Sequence, residues 1–292
     1  MALRLGRIWG VPVHLNPWFL ALLGLYFIAG LLDRALVAFG LVLCHELAHV
    51  AAARALGHPA FEVELLPFGG VARMGTEVFL EPGREIRVAL AGPAVNLVLF
   101  GLGLGLHAHG LWEGQLHSFF LQTNLLLLAF NLLPALPLDG GRVVRAWLAT
   151  RWGYLRASLW LARSGQGWAV LIVAGGAVGF VCGQNGLDIM ITGLFLAHAA
   201  TRERSLAPYL QVRYLAAKTR GVLAGKVLKA TPLAALENVP LGQLAAHLRP
   251  GTFCLVWVLS PDLELRGIVS EGRVVEALFH RGGHTKVGEL LS

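Results

Sequence analysis

The sequence predicts a membrane all-α domain of about six transmembrane helices with a short β hairpin or re-entrant element, followed by a small α+β domain. Three observations predict it. The 292 residues are 56% hydrophobic and only 14% charged, whereas ordinary soluble domains carry about 25% charged residues. The stretch "NPWFLALLGLYFIAGLL", residues 16–32, holds no acidic or basic side chain. Residues 222–292, in contrast, have the mixed composition of an aqueous domain.

A bilayer core asks for about 20 apolar residues in a helix, with roughly 17 tolerated. The stretches that meet or approach this are 16–32, 35–56, 88–106, 119–136, 164–182 and 187–200. The last is short, and Asp188 blunts its start. The opening "MALRLGRIWGVPVHLNPWF" has basic residues before an apolar run but no small-residue cleavage site to end it, so an uncleaved first span is expected.

The connections give an independent test of topology. If the N-terminus, with Arg4 and Arg7, is cytoplasmic, the segments expected inside hold Arg54, Arg73, Arg84 and Arg87. Further on they hold a cluster from Arg142 to Arg163, then Arg202 and Arg204. Those expected outside hold Arg34 and otherwise "HAHGLWEGQLH" and "GQNG", without Lys or Arg. Such asymmetry sets orientation: an integral, multi-pass membrane protein with both termini cytoplasmic. The net charge of +7 belongs to this pattern. It forms no basic stripe with interleaved aromatics, so no nucleic-acid partner is expected.

Between the second and third spans, "AFEVELLPFGGVARMGTEVFLEPG" (60–83) alternates, is rich in β-formers and places a turn at Gly69-Gly70. It reads as a cytoplasmic hairpin or as a re-entrant element. Residues 204–221 read as a basic linker. Within 222–292 a helix, "LGQLAAHL", precedes "TFCLVWVL", "LRGIVS" and "EGRVVEALF" in strand, strand, helix order.

The chemistry sits in "LVLCHELAHVAAARALG". His45 and His49 are four residues apart and share a helix face, so both can reach one Zn²⁺. Glu46 is placed to act on a metal-activated water as general base. An ionisable group in a membrane helix costs a few kcal/mol by insertion scales (about 2.5–3.5), which argues against an accidental pattern. The three cysteines, Cys44, Cys182 and Cys254, make no disulfide framework. Cys44 points about 100° away from His45 and reads as a small buried hydrophobe.

A catalytic zinc asks for a third protein ligand and an open position. Ala52 and Ala55 stand where a metzincin has Gly and His, which excludes that pattern. Glu62, Glu64 and Asp139 remain. Asp139, in "NLLPALPLDGGRVVRAWL", is the better placed, because the topology brings it and the His helix towards the same face. His58 reads as interfacial. Asn131 and Asn96 are amides in apolar surroundings, suited either to a developing oxyanion or to a helix–helix hydrogen bond.

With "HELAH" in a span, then "PFGG", "AGPAVNL" and "NLLPALPLDGGR", the chain resembles the site-2 proteases, the intramembrane zinc metalloproteases, over roughly residues 5–200. The resemblance implies one Zn²⁺ held by His45, His49 and Asp139, with Glu46 as general base. It also implies that Asn131 helps bind or polarise the scissile peptide, and that the segment with Phe68, Gly69 and Gly70 is a re-entrant element near the substrate, where Asn96 is a further contact. Six spans with a cytoplasmic tail resemble the sporulation-factor subgroup, whose members process a membrane-associated sigma-factor precursor; a pro-sigma or anti-sigma factor is the substrate so implied. The tail resembles a single cystathionine-β-synthase-type (CBS) motif, a kind that binds adenine nucleotides such as ATP in pairs. Ser270 fits the ribose-binding position, but Arg273 stands where Asp belongs. One motif completes a pair only in a homo-oligomer, so dimerisation competes with nucleotide sensing. The alternatives for the whole chain are a polytopic transporter and a non-catalytic metal-binding scaffold. The first would spread polar groups through several spans, and the second has no use for Glu46.

Overall fold

The computed structural model describes residues 3–8, 11–57, 60–66, 69–74, 81–184, 186–225, 227–249 and 251–291. They fall into two compact units. The first comprises residues 1–78, 86–133 and 138–143; the second comprises 79–85, 134–137 and 144–292.

In the first unit, α1 (Pro17–Ile28) begins with Pro17 in the first turn and with the Asn16 side chain accepting from the Trp18 amide. Both are standard helix-start devices. Helix α2 (Leu32–Ala55) turns Leu41, His45, His49 and Ala53 inward at four-residue spacing, so the polar island lies on its buried face. It ends before Gly57, whose φ of 79° suits glycine. Helices α3 (Pro82–Ala108) and α4 (Gln115–Asn131) follow. The chain then breaks at Pro134 and Pro137 before α5 (Asp139–Trp152).

Strands β1 (Leu3–Ile8), β2 (Val11–Leu15), β3 (Ala60–Leu66) and β4 (Gly69–Met74) form one sheet in that order. Strand β2 runs parallel to β3, with Val13 opposite Val63, and β3 and β4 are antiparallel. Among the described residues, strand β4 is therefore an edge. The first residues make a β-ribbon before α1 rather than a lead-in to the first span. Gly69 and Gly70 are strand residues opposite Leu66 and Leu65, not the expected turn; the connection lies at 67–68, outside the described residues.

The second unit holds the rest of α5, then α6 (Tyr154–Val181) and α7 (Leu187–Leu223). These two helices pack closely because small residues meet larger ones. A Cβ on Gly193 would lie 2.7 Å from Val173 Cγ2, and one on Gly176 the same distance from Met190 Cγ. Helices α2, α3 and α6 are long and apolar enough to cross a membrane. Helix α1 has 12 residues and α4 has 17.

Residues 204–221 are not a linker: α7 runs unbroken through them. Ala207, Gln211, Tyr214, Leu215 and Lys218 recur at helical spacing and are buried. Tyr214 and Leu215 belong to the tail's own core, with Leu241, Leu248, Val256 and Val274. The tail comprises β5 (Lys229–Leu236), α8 (Leu241–Ala245), β6 (Thr252–Leu259), β7 (Leu265–Ser270) and α9 (Glu271–Arg281). Strand β5 is parallel to β6, and β6 antiparallel to β7.

Two buried ion pairs tie this unit together. Arg145 pairs with Glu85 at the start of α3 and lies 5.1 Å over the Tyr154 ring, which stacks on Tyr214 at 5.4 Å. Burial works against the Arg145 charge, but the neighbouring Glu85 carboxylate holds the guanidinium pKa above its usual value. Lys218 Nζ donates to Glu271 Oε1 at 2.6 Å and to Arg249 O at 3.0 Å, while Glu271 Oε2 accepts from the Cys254 amide at 2.7 Å.

Removing one partner of such a pair leaves a buried charge uncompensated, at about 3–5 kcal/mol. Glu271→Ala is therefore expected to destabilise the tail by about that much. Hydrogen exchange of the full chain would read this as lost amide protection in β6 and α9; unchanged protection would contradict it.

Candidate metal centre

The His45 and His49 rings stand one helical turn apart on α2, 4.8 Å between centroids and nearly perpendicular. Their outer nitrogens are both spent as donors. His49 Nδ1 donates to Val88 O at 2.7 Å, and His45 Nδ1 to Asn96 Oδ1 at 2.9 Å. With the proton on Nδ1, each neutral ring turns an Nε2 lone pair inward.

Both lone pairs meet the same oxygen. Asp139 Oδ2 lies 3.0 Å from His45 Nε2 and 3.1 Å from His49 Nε2. One break with two prolines brings the carboxylate there: α4 ends, the chain crosses Pro134 and Pro137, and α5 starts with Asp139. Gly140 makes that start possible, since a Cβ on it would lie 2.6 Å from Leu133 O. Asp139 is not merely a helix cap. Its Oδ1 accepts from Arg142 Nη1 at 3.4 Å, which leaves Oδ2 turned to the two rings.

Three lone-pair donors facing one another inside a protein repel unless a cation lies among them. Their ligand atoms all lie within 4.8 Å of one another, and all three residues are buried. Two imidazoles and a carboxylate are a donor set suited to zinc. The space fits as well. On the far side stands Gly92 of α3, where a Cβ would lie 2.5 Å from His45 Nε2, so only a residue without a side chain leaves room.

Glu46 is half-buried next to the first imidazole and offers no atom to the trio. It lies against β4: a Cβ on Gly70 would fall 3.2 Å from its Cδ and 3.4 Å from its Oε1. The glycine at 70 thus answers a close approach, not a turn. Gly69 precedes it in the strand, while Phe68, Pro67 and His58 lie outside the described residues.

The other expectations divide. Glu64 accepts from Asn16 Nδ2 at 3.3 Å, away from the trio. Cys44 is exposed rather than buried, on another face of α2 from His45. Asn131 donates to Leu127 O, one turn back in its own helix. Asn96, expected at the substrate, is fully buried with both ends of its amide spent: Oδ1 takes the His45 proton and Nδ2 donates to Asn124 Oδ1 at 2.8 Å. Ser270 caps α9 by accepting from the Arg273 amide. Sequence reasoning missed Asn124, Val88 O and Gly92. The four-residue spacing of 88, 92 and 96 beside "AGPAVN" was the available signal.

Comparison with known proteins agrees with this geometry. Residues 34–109 match the model of peptidase family M50. A putative zinc metalloprotease, Rip3 of Mycobacterium tuberculosis, is 39% identical over 181 residues, covering 59% of this chain and 46% of that protein. The chain thus spans about half the length of that relative. Stage IV sporulation protein FB of Bacillus subtilis is 28% identical over 207 residues, 70% of each chain. Among solved structures, the site-2 protease from Methanocaldococcus jannaschii superposes with a TM-score of 0.56 at 28% identity, over 70% of this chain and 95% of that one. The segment similar to peptidase family M50, residues 34–109, holds His45 and His49, two of the three converging residues.

Proposed function

We propose that the chain is an intramembrane zinc metalloprotease that hydrolyses a peptide bond of a membrane-associated protein near the cytoplasmic face. The observation that carries this reading is the convergence of His45 Nε2, His49 Nε2 and Asp139 Oδ2 with Glu46 beside them and an edge strand against Glu46. His45, His49 and Asp139 would hold one Zn²⁺. When bound, zinc supplies Lewis-acid activation of water and of the scissile carbonyl.

The remaining steps belong to the chain's own side chains. Glu46 takes the proton of the attacking water and returns it to the leaving nitrogen. A helical substrate hides its carbonyls in hydrogen bonds, so the peptide must unwind. The free edge of β4 offers backbone groups to pair with it as an added strand, and Gly70 lets that edge pass next to Glu46. Asn131 would release Leu127 O and turn its amide to the scissile carbonyl in the substrate complex. Phe68 and Gly69 would flank the bound strand.

The wider assignment rests on the arginine asymmetry and on the relatives. We assign six spans, both termini cytoplasmic, and a regulatory precursor such as a pro-sigma or anti-sigma factor as substrate. The β–α–β–β–α order of the tail supports a CBS-like module. Ser270, Arg273, Phe279 and His280 line a shallow depression of about 660 Å³ there, the place for an adenine nucleotide in a homo-oligomer.

Glu46→Gln keeps the shape of the side chain and removes the base. Cleavage of a co-expressed membrane-associated precursor should fall by about 10²–10⁴-fold, with one zinc per chain retained; wild-type cleavage by this variant would refute the mechanism. Gly70→Pro removes a strand donor and fills the space beside Glu46. Turnover should drop with zinc content unchanged, and undiminished turnover would count against strand pairing.

A further inference from the structure

We infer that one face of α3 is the back wall of the metal centre, with Val88, Gly92 and Asn96 as positioning residues that set where the ion sits without ligating it. The three are spaced four apart, so they stack on one side of the helix. Each does a different thing. Val88 O fixes the proton of His49 on Nδ1, and Asn96 Oδ1 does the same for His45. Outer hydrogen bonds of this kind set the tautomer and aim of a metal-binding imidazole. Gly92, between them, contributes only its missing side chain. Zinc–nitrogen bonds are about 2.0–2.1 Å long, while a Cβ on Gly92 would lie 2.5 Å from His45 Nε2 and nearer still to His49 Nε2. A methyl group would occupy the volume the ion needs.

The orientation of the Asn96 amide is itself determined, through α4. The backbone carbonyl of Asn96 accepts from Asn124 Nδ2 at 2.9 Å. A carbonyl only accepts, so the NH₂ end of Asn124 must face it. Asn124 Oδ1 is then left for Asn96 Nδ2, at 2.8 Å, and Asn96 Oδ1 is left for His45. Both asparagines are fully buried, where a flipped amide would strand several polar atoms at once, each costing about 1–3 kcal/mol. One backbone carbonyl thus fixes, through two amides, which nitrogen of His45 faces the ion.

This inference rests on the zinc reading above, so the test measures metal and not cleavage. Zinc stoichiometry and affinity are read by chelator competition on the full chain in lipid nanodiscs. Wild type should hold one zinc. Gly92→Ala should hold none, whereas Gly101→Ala, on the same helix with nothing within 4 Å of its Cβ, should match wild type. Asn96→Ala should weaken zinc binding by about 10–100-fold. Asn96→Asp, which keeps an acceptor oxygen for His45, should recover most of that loss.

Wild-type affinity in Gly92→Ala or in Asn96→Ala overturns the wall. So does an Asn96→Asp variant as weak as Asn96→Ala, since a merely structural amide would not be rescued by an acceptor. If Gly92→Ala does not fold, the Asn96 pair decides. A wild-type protein without zinc overturns the metalloprotease reading itself, and this inference with it.

Discussion

Everything in the first unit answers to one electrostatic problem: two imidazole lone pairs and a carboxylate meet at about 3 Å inside an apolar helical protein. Burying polar atoms without partners is expensive. The fold meets this by giving each outer nitrogen a hydrogen bond and each inner atom a common focus. Helix α2 supplies the two rings, α3 their outer acceptors, and the break before α5 the carboxylate. No one of these helices makes sense without the others. A cation at the focus turns the mutual repulsion into attraction, which is why the zinc proposal explains the packing as well as the chemistry.

The same economy governs the small residues. Gly70, Gly92 and Gly140 each stand where a Cβ would strike the centre or the helix end that builds it. They bring, respectively, an edge strand to Glu46, a helix to the ligand nitrogens and Asp139 to its place. In the second unit, Gly176 and Gly193 bring α6 and α7 together by the same means. There the long α7 carries Tyr214 and Leu215 directly into the tail's core, so that residues packed on α6 and residues of the tail share one continuous element.

Much of this was legible in the sequence, and the failures have causes. Local signals carry part of it: apolar length marks α2, α3 and α6, the helices long and apolar enough to cross a membrane, a four-residue interval puts His45 and His49 on one face, and two prolines mark the break before Asp139. What was misread depends on partners far along the chain. Strands β1 and β2 are short, and β2 pairs with β3 some fifty residues on, so nothing local marks them as strands ahead of the apolar stretch at 16–32. Gly69 and Gly70 look like a turn until Glu46 is seen to lie against the second of them. Residues 204–221 look like a linker because of their charges and Pro208, although the buried positions from Ala207 to Lys218 recur at helical spacing. Asn96 was noticed as a costly buried amide, but its role follows from Asn124, which sits on another helix and carries no motif.

The central claim is that His45, His49 and Asp139 hold a single zinc. X-ray absorption at the zinc edge of the purified full chain tests it most directly. The account predicts a first shell of nitrogen and oxygen only, at about 2.0–2.2 Å, with the multiple-scattering signature of two imidazoles. A zinc–sulfur distance of about 2.3 Å, or a protein that carries no zinc at all, would contradict it.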